Sequence, residues 1–432
     1  MTYGFDTLKV RAGYDPKDHN NSVQVPIYQT ASFAIDGAEH FDKLRNLSEA
    51  GYIYSRIGNP TVTVLEERVA ALEGAKGALG VASGMAAISY AILTVAEGGG
   101  RILTTHQLYG GTVDAIKKVF PKAGISIDKV DTDSSAEEFD KAIKEDTKAI
   151  YVESISNPNA VVADIERLAD IAHSHNIPLI VDNTIATPYL LNPIKFGADI
   201  VIYSATKALS GHGNVIGGLI VDSGNFDWTN GKFNQFTEKH YTLRDVNDVE
   251  RSYVEAFGDI AFLGKARMDY LAYFGAVLSP FDAYLILIGL ETLSERVKKQ
   301  VSSAEKIVEY LKSEDKVAWI SYPSLEGGHS YELSKKYLPK GAGSTFSFGF
   351  KGTTEDIYKF TKSVELFGYQ ANLGDARSLI INSPRTTHGE LTKKELQLAQ
   401  IEPETIRLSI GLEDPEDLIT DLKQSFAKTF NQ

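Results

Sequence analysis

Between about residues 60 and 222 short apolar runs alternate with amphipathic stretches, and few folds accept that alternation. The runs are Ile102-Leu-Thr, Ala149-Ile-Tyr-Val, Pro178-Leu-Ile-Val and Asp199-Ile-Val-Ile-Tyr. Between the middle pair, Ile165 to His175 sets Leu168, Ile171 and Ala172 on one side of a helix. Strand, helix, strand at this spacing demands parallel pairing with crossover helices, because a tight turn cannot reach a parallel neighbour. Asn59-Pro60 predicts an N-cap and first-turn proline, followed by Leu65, Val69 and Leu72 at helical spacing before Gly74. The class is therefore α/β, and open sheets of this kind bind ligands at the carboxyl ends of their strands.

The flanking segments differ. Residues 1–60 have mixed polarity and few periodic cues, and are expected to form an extended arm that packs on something else. A polar, aromatic-containing stretch without a clear period runs from about 223 to 265. Beyond it, Pro280 to Leu311 predicts one long helix, Ser344 to Gly352 a strand and Asp356 to Phe367 a helix. These imply an arm (1–60), a cofactor-binding α/β domain (61–265) and a smaller C-terminal α+β domain (266–432). The chain has no cysteine, which excludes disulfides and thiolate metal sites. Its formal charge, 44 − 57 = −13, argues against a nucleic-acid surface. No run approaches the roughly 18–20 apolar residues of a membrane span, and Met1-Thr-Tyr-Gly-Phe-Asp lacks the order of a secretory signal. A soluble, cytoplasmic protein without membrane or nucleic-acid partners is expected.

Lys207 stands just past the run ending at Tyr203, flanked by Ser204 and Thr206 and followed by Gly211, Gly213, Gly217 and Gly218. Most lysines are solvated surface groups. One at a strand end, partly desolvated, becomes a usable amine nucleophile. The preceding strand supplies a partner in Asp182, although an isolated aspartate at such a place is usually a turn residue. Two neighbouring strands ending in a carboxylate and an amine match one cofactor. Pyridoxal phosphate needs a lysine to bond its aldehyde and an acid to keep its ring nitrogen protonated. Ser83-Gly84-Met85 opens a helical pattern and so offers free backbone amides to a phosphate. The histidines show no metal spacing: His173 and His175 are two apart on a helix and face different ways.

Together, "SATKALSGH" (Ser204–His212), "DNTIATP" (Asp182–Pro188), "YSRIGNPT" (Tyr54–Thr61) and "SGM" resemble the Cys/Met-metabolism family of pyridoxal-phosphate enzymes across nearly the whole chain. Gly217–Phe233, Leu278–Arg296 and Ala371–His388 resemble its O-acetylhomoserine sulfhydrylase branch. The resemblance implies fold type I, the aspartate-aminotransferase type, with a mostly parallel seven-stranded sheet, and a homotetramer of two close dimers with shared active sites. It assigns Lys207 the covalent link to the cofactor, Asp182 the pyridine nitrogen, and Tyr109 the stack over the ring. Phosphate contacts fall to Ser83, Gly84, Met85, Ser204 and Thr206, and to Tyr54 and Arg56 reaching over from a partner subunit. Arg407 would clamp a substrate carboxylate, helped by Asn157 and the backbone near Ser378. A guanidinium pairs a carboxylate through two hydrogen bonds, which a lysine cannot do.

The implied reaction converts O-acetyl-L-homoserine and sulfide to L-homocysteine and acetate, with Lys207 as the base and Tyr54 or Tyr109 assisting proton transfer. The alternatives are an O-acetylserine sulfhydrylase, a cystathionine γ-synthase, a methionine γ-lyase, or a scaffold that keeps the cofactor as architecture. Some residues depart from the family pattern. Ile185 replaces a common aromatic, and Asn382-Ser383 replaces the histidine that often precedes Pro384. Gly111 stands where methionine γ-lyases usually carry cysteine, and Asp375-Ala376-Arg377 differs from the cystathionine lyases.

Overall fold

The computed structural model describes residues 3–430. Strands β1 (Gly77–Val81), β2 (Gly100–Thr105), β3 (Ile125–Val130), β4 (Thr147–Glu153), β5 (Leu179–Asp182), β6 (Ile200–Ser204) and β7 (Gly218–Asp222) form one sheet. Their order is β1-β7-β6-β5-β4-β2-β3. The pairs from β3 to β6 are parallel, and β7 runs antiparallel to both β6 and β1. All four apolar runs seen in the sequence are strands here. They are apolar without alternation because both faces of the sheet are covered, and every residue of β7 is buried. Since β3 lies outside β2 and β4 inside it, strand order reverses between β2 and β4 and opens a crevice at their carboxyl ends.

Helix Pro60–Glu73 starts and stops as expected. The Asn59 side chain accepts the Thr61 amide, and Gly74 closes the helix at φ 65°, a conformation that disfavours residues with a Cβ. The following helix, Gly84–Val95, is capped by Ser83, whose hydroxyl accepts the Ala86 amide. A second sheet, in the order β10-β11-β14-β13-β12, forms the smaller C-terminal layer. Its strands are β10 (Val317–Ser321), β11 (Thr345–Phe350), β12 (Gly368–Tyr369), β13 (Leu379–Asn382) and β14 (Ile406–Ser409). Between the two sheets in sequence lies a ribbon of β8 (His240–Arg244) and β9 (Glu250–Arg251). No helix among the described residues is long and apolar enough to cross a membrane.

The structure differs from the sequence expectations in four places. Residues Phe5–Arg11 form a helix that packs on helices Pro60–Glu73 and Pro280–Glu291 of the same chain. Lys9 is buried there and donates to Ser294 at 2.5 Å and to Glu295 at 2.5 and 2.7 Å, an anchor invisible to periodicity because Glu295 is so distant in sequence. The long helix breaks at Thr292 into Pro280–Glu291 and Leu293–Ser313. Before the break, Gly289 lies so close to the Ser210 carbonyl that a Cβ would come within 2.3 Å of it. Helical turns run without interruption from Ala261 to Phe274, across the 265/266 division, and the second sheet begins only at Val317. The aperiodic stretch is ordered by aromatic packing instead, with Trp228 4.4 Å from Phe236 and 5.4 Å from Phe262 between ring centroids.

Behind the sheet, Tyr203 donates its hydroxyl to Glu73, which is fully buried at the end of its helix. Burial pushes the Glu73 carboxyl up to about 8, against the opposing Tyr203 hydrogen bond. A carboxyl raised on folding contributes stability that is complete below its ordinary value of 4.5 and is lost as pH rises through about 8. Glu73→Gln should therefore melt progressively higher than wild type as pH rises from 5 to 8.5. The gap in a series of thermal melts should widen by about 1 °C for each kcal/mol involved.

Candidate active site

The carboxyl ends of β4, β5 and β6 and the first turn of helix Gly84–Val95 enclose a cavity of about 260 Å³. Lys207 follows β6 and lines it, and its Nζ donates to Asn372 Oδ1 at 2.6 Å. Burial, and then the positive charge of Arg407, lower the Lys207 amine to about 8. Asp182 ends β5 and lines the same cavity. Burial raises its carboxyl, against hydrogen bonds from Thr184, whose amide donates at 3.0 Å. Among the described residues no Lys, Arg or His lies within 4.0 Å of it. Lys207 and Asp182 thus face one space from neighbouring strands without pairing with each other.

Ser83, Gly84, Met85, Ser204 and Thr206 line one end. A Cβ on Gly84 would fall 2.7 Å from the Ser204 Cβ, and one on Gly218 would fall 2.1 Å from the Ser83 carbonyl. Glycine at both positions lets the helix start sit directly against the ends of β6 and β7. The amides of Gly84 and Met85, which precede the first intrahelical donor, then stand beside two hydroxyls, a seat for a phosphate.

Arg407, on β14, enters from the smaller layer and is 2% exposed. It donates from Nη1 to Asn157 Oδ1 at 2.9 Å and from Nη2 to the Asn372 carbonyl at 2.7 Å, while its buried Nε has no acceptor. Burial lowers the guanidinium to about 10. No carboxylate among the described residues pairs with it. Tyr109 lines the cavity and its ring lies over Gly111, where a Cβ would meet it at 2.5 Å. As Tyr109 is placed, any larger residue at 111 would displace it.

Three expected residues lie elsewhere. Ser378 does not line the cavity. Its amide and hydroxyl donate to Glu413 at 2.7 and 2.8 Å and its carbonyl accepts from Gly368, so it is spent on holding β13. Tyr54 and Arg56 are also outside this chain's cavity. Tyr54 is 43% exposed, and Arg56 donates to the Ala272 carbonyl and sits 5.5 Å over the Tyr54 ring.

The sequence reading missed Glu153, Asn372 and Arg296. Arg296 is buried and donates to the carbonyls of Ala208 (2.9 Å), Leu209 (3.3 Å) and Gly289 (2.6 Å), so that it clasps the loop carrying Lys207. Its only sequence signal was an arginine within an apolar helix pattern. His173 and His175 bond Asp199 and Asp140 separately. Among the described residues no group of three or more His, Asp or Glu is placed to hold a metal ion.

Residues 6–427 match the family of Cys/Met metabolism PLP-dependent enzymes. The chain belongs to that family. An O-acetyl-L-homoserine sulfhydrylase of Leptospira meyeri is 42% identical over 97% of this chain and 96% of its own length. Sulfhydrylase FUB7 of Gibberella moniliformis is likewise 42% identical, over 99% and 98%. A crystal structure of a Campylobacter jejuni protein, proposed to be an O-acetylhomoserine (thiol)-lyase and containing a pyridoxyl-lysine phosphate, superposes with a TM-score of 0.93. It is 37% identical, covering 98% of this chain and 99% of that one.

The fold is type I and the cofactor is pyridoxal phosphate (PLP). The donor set fits it: an unpaired buried carboxylate for a protonated ring nitrogen, an amine of lowered basicity for the aldehyde, and paired amides and hydroxyls for the phosphate. Lys207→Ala should abolish the covalent attachment. After borohydride reduction, intact-mass measurement should find wild type heavier by one pyridoxyl phosphate and the variant unchanged. Asp182→Asn should bind PLP but lose about 10²-fold or more in turnover, because the ring nitrogen then lacks its counter-charge.

Proposed function

We propose that the protein replaces the γ-acetoxy group of O-acetyl-L-homoserine with sulfide, forming L-homocysteine and releasing acetate. The observation that carries the reading is Arg407, a buried guanidinium without a carboxylate, in one cavity with a weakly basic lysine. That combination suits an α-amino acid bound by its carboxylate beside a base. The sulfhydrylases to which the chain is similar supply the acyl group and the sulfur nucleophile of the reading.

Bound PLP supplies an aldehyde that captures the substrate amine and a protonated ring that spreads negative charge arising beside it. Lys207, Asp182, Ser204, Thr206 and the amides of Gly84 and Met85 would hold it, with Tyr109 over the ring. Arg407, braced by Asn157 and the Asn372 carbonyl, orients the substrate by its carboxylate and thereby turns Cα toward Lys207. The Lys207 amine would take the proton from Cα, hand it on to the bound cofactor, and so be free to take one from Cβ as acetate departs from Cγ. After sulfide has bonded to Cγ, the same amine returns the protons. Its value near 8 suits both directions, since a base that also acts as an acid works best near the ambient pH. Tyr109 of this chain, or Tyr54 of a second copy, would assist proton transfer at the leaving group.

The reading includes a second copy of the chain. Tyr54 and Arg56 are surface residues here, beside the exposed rings of Tyr273 and Phe274, and a phosphate-binding role requires them to serve another subunit's cavity. A tetramer of two such dimers, in the cytoplasm, completes the proposal and agrees with the acidic, cysteine-free composition.

Incubation with O-acetylhomoserine and sulfide should yield homocysteine and acetate in equal amounts, with turnover rising as pH increases toward 8. Faster production of 2-oxobutanoate and ammonia would assign a lyase instead. Arg407→Lys should raise KM for the amino acid by about 30–100-fold, the loss of one strong two-point ion pair worth roughly 2–3 kcal/mol.

A further inference from the structure

Glu153 has no role in the scheme above, yet its position is demanding. It ends β4, opposite Asp182 on β5 in the strand register, and lines the cavity at 7% exposure. Its two oxygens are used separately. Oε1 accepts the Tyr109 amide at 2.5 Å and Oε2 accepts the Asn157 amide at 3.1 Å. No Lys, Arg or His among the described residues lies within 4.0 Å of it.

A buried, cation-free carboxylate beside a second carboxylate is costly, so the chemistry of its partners must explain it. Both partners are backbone N–H groups. A carboxylate offers an acceptor at each oxygen, whereas a glutamine offers one acceptor and turns an NH₂ toward the other donor. An aspartate is one methylene too short to reach both. Only glutamate meets the two amides at once.

Those amides belong to the two halves of the site. Tyr109 is the residue over the ring, and Asn157 carries the hydrogen bond to Arg407 Nη1 at 2.9 Å. We propose that Glu153 is a positioning residue: one carboxylate fixes the distance between the ring-covering tyrosine and the arginine clamp, and so aligns the substrate carboxylate with the cofactor. This rests on the PLP-dependent amino-acid chemistry proposed above, and on no particular leaving group or nucleophile.

The test uses PLP-loaded wild type, Glu153→Gln, Glu153→Asp and Asn157→Ala. Two readouts avoid turnover: visible circular dichroism of the bound cofactor, which reports how its ring is held, and the dissociation constant of L-norvaline, an amino acid without a leaving group, from the cofactor's absorbance change. Both Glu153 variants should weaken norvaline binding about tenfold or more and change the dichroic band. Asn157→Ala should weaken norvaline equally while leaving the band as in wild type, because it breaks only the arginine branch. Adding Glu153→Gln to Asn157→Ala should then weaken binding much less than it does in wild type, as expected for residues acting in series. Wild-type binding and dichroism in either folded Glu153 variant, or additive losses in the double variant, would overturn the assignment. Failure of wild type to make homocysteine would overturn the reaction proposed above and leave these two readouts intact.

Discussion

Everything in the site depends on a charge separation that the fold maintains without letting it collapse. Two cations, Lys207 and Arg407, and two carboxylates, Asp182 and Glu153, line one cavity, and no ion pair joins them. Left to themselves, buried opposite charges at contact distance would pair, at a gain of several kcal/mol over the unpaired state. Each is instead held by neutral dipoles: Asn372 for Lys207, Asn157 and a carbonyl for Arg407, and amides for the two carboxylates. Neutral hydrogen bonds fix position while leaving net charge to be answered by what binds.

The scaffold that enforces this separation is rigid where the charges sit. The carboxylates end adjacent parallel strands whose residues are almost all buried, so neither can move without disturbing the main sheet. Lys207 lies on a loop rather than a strand, and the loop is pinned by Arg296 from the helix after the Thr292 break. That break, which has no periodic signature, is therefore part of the site: it redirects the chain so that Leu293–Ser313 can bring Arg296 to the carbonyls of Ala208 and Leu209.

Much of this was legible in the residues alone. Unbroken apolar runs ending in Asp182 and just before Lys207 marked both the strands and the meeting of these two side chains at one cavity, because a buried parallel strand has no other place to put a charge than its end. Asn59-Pro60 and Gly74 marked a helix by local capping rules that tertiary contacts rarely override. What escaped was set by distance in sequence. Lys9 pins the start of the apparent arm to its own chain through Ser294 and Glu295, Ser378 is claimed by Glu413, and Glu153 gains meaning only from amides on two other segments. The hydrogen bonds of Asn372 were equally hidden, since its side chain serves one residue and its backbone another.

That division of labour within Asn372 bears on how such a catalyst can diversify. The residues that would grip the pyridine ring and phosphate lie on the larger layer, whereas Arg407 and Asn372 arrive from the segment that follows the helix break. Because a single residue there touches both the amine and the guanidinium, the smaller layer is tied to Lys207 through the same residue that braces Arg407. Substitutions that remodel that layer can therefore change the room left for the incoming amino acid's side chain while Asp182 and the first turn of helix Gly84–Val95 stay in place.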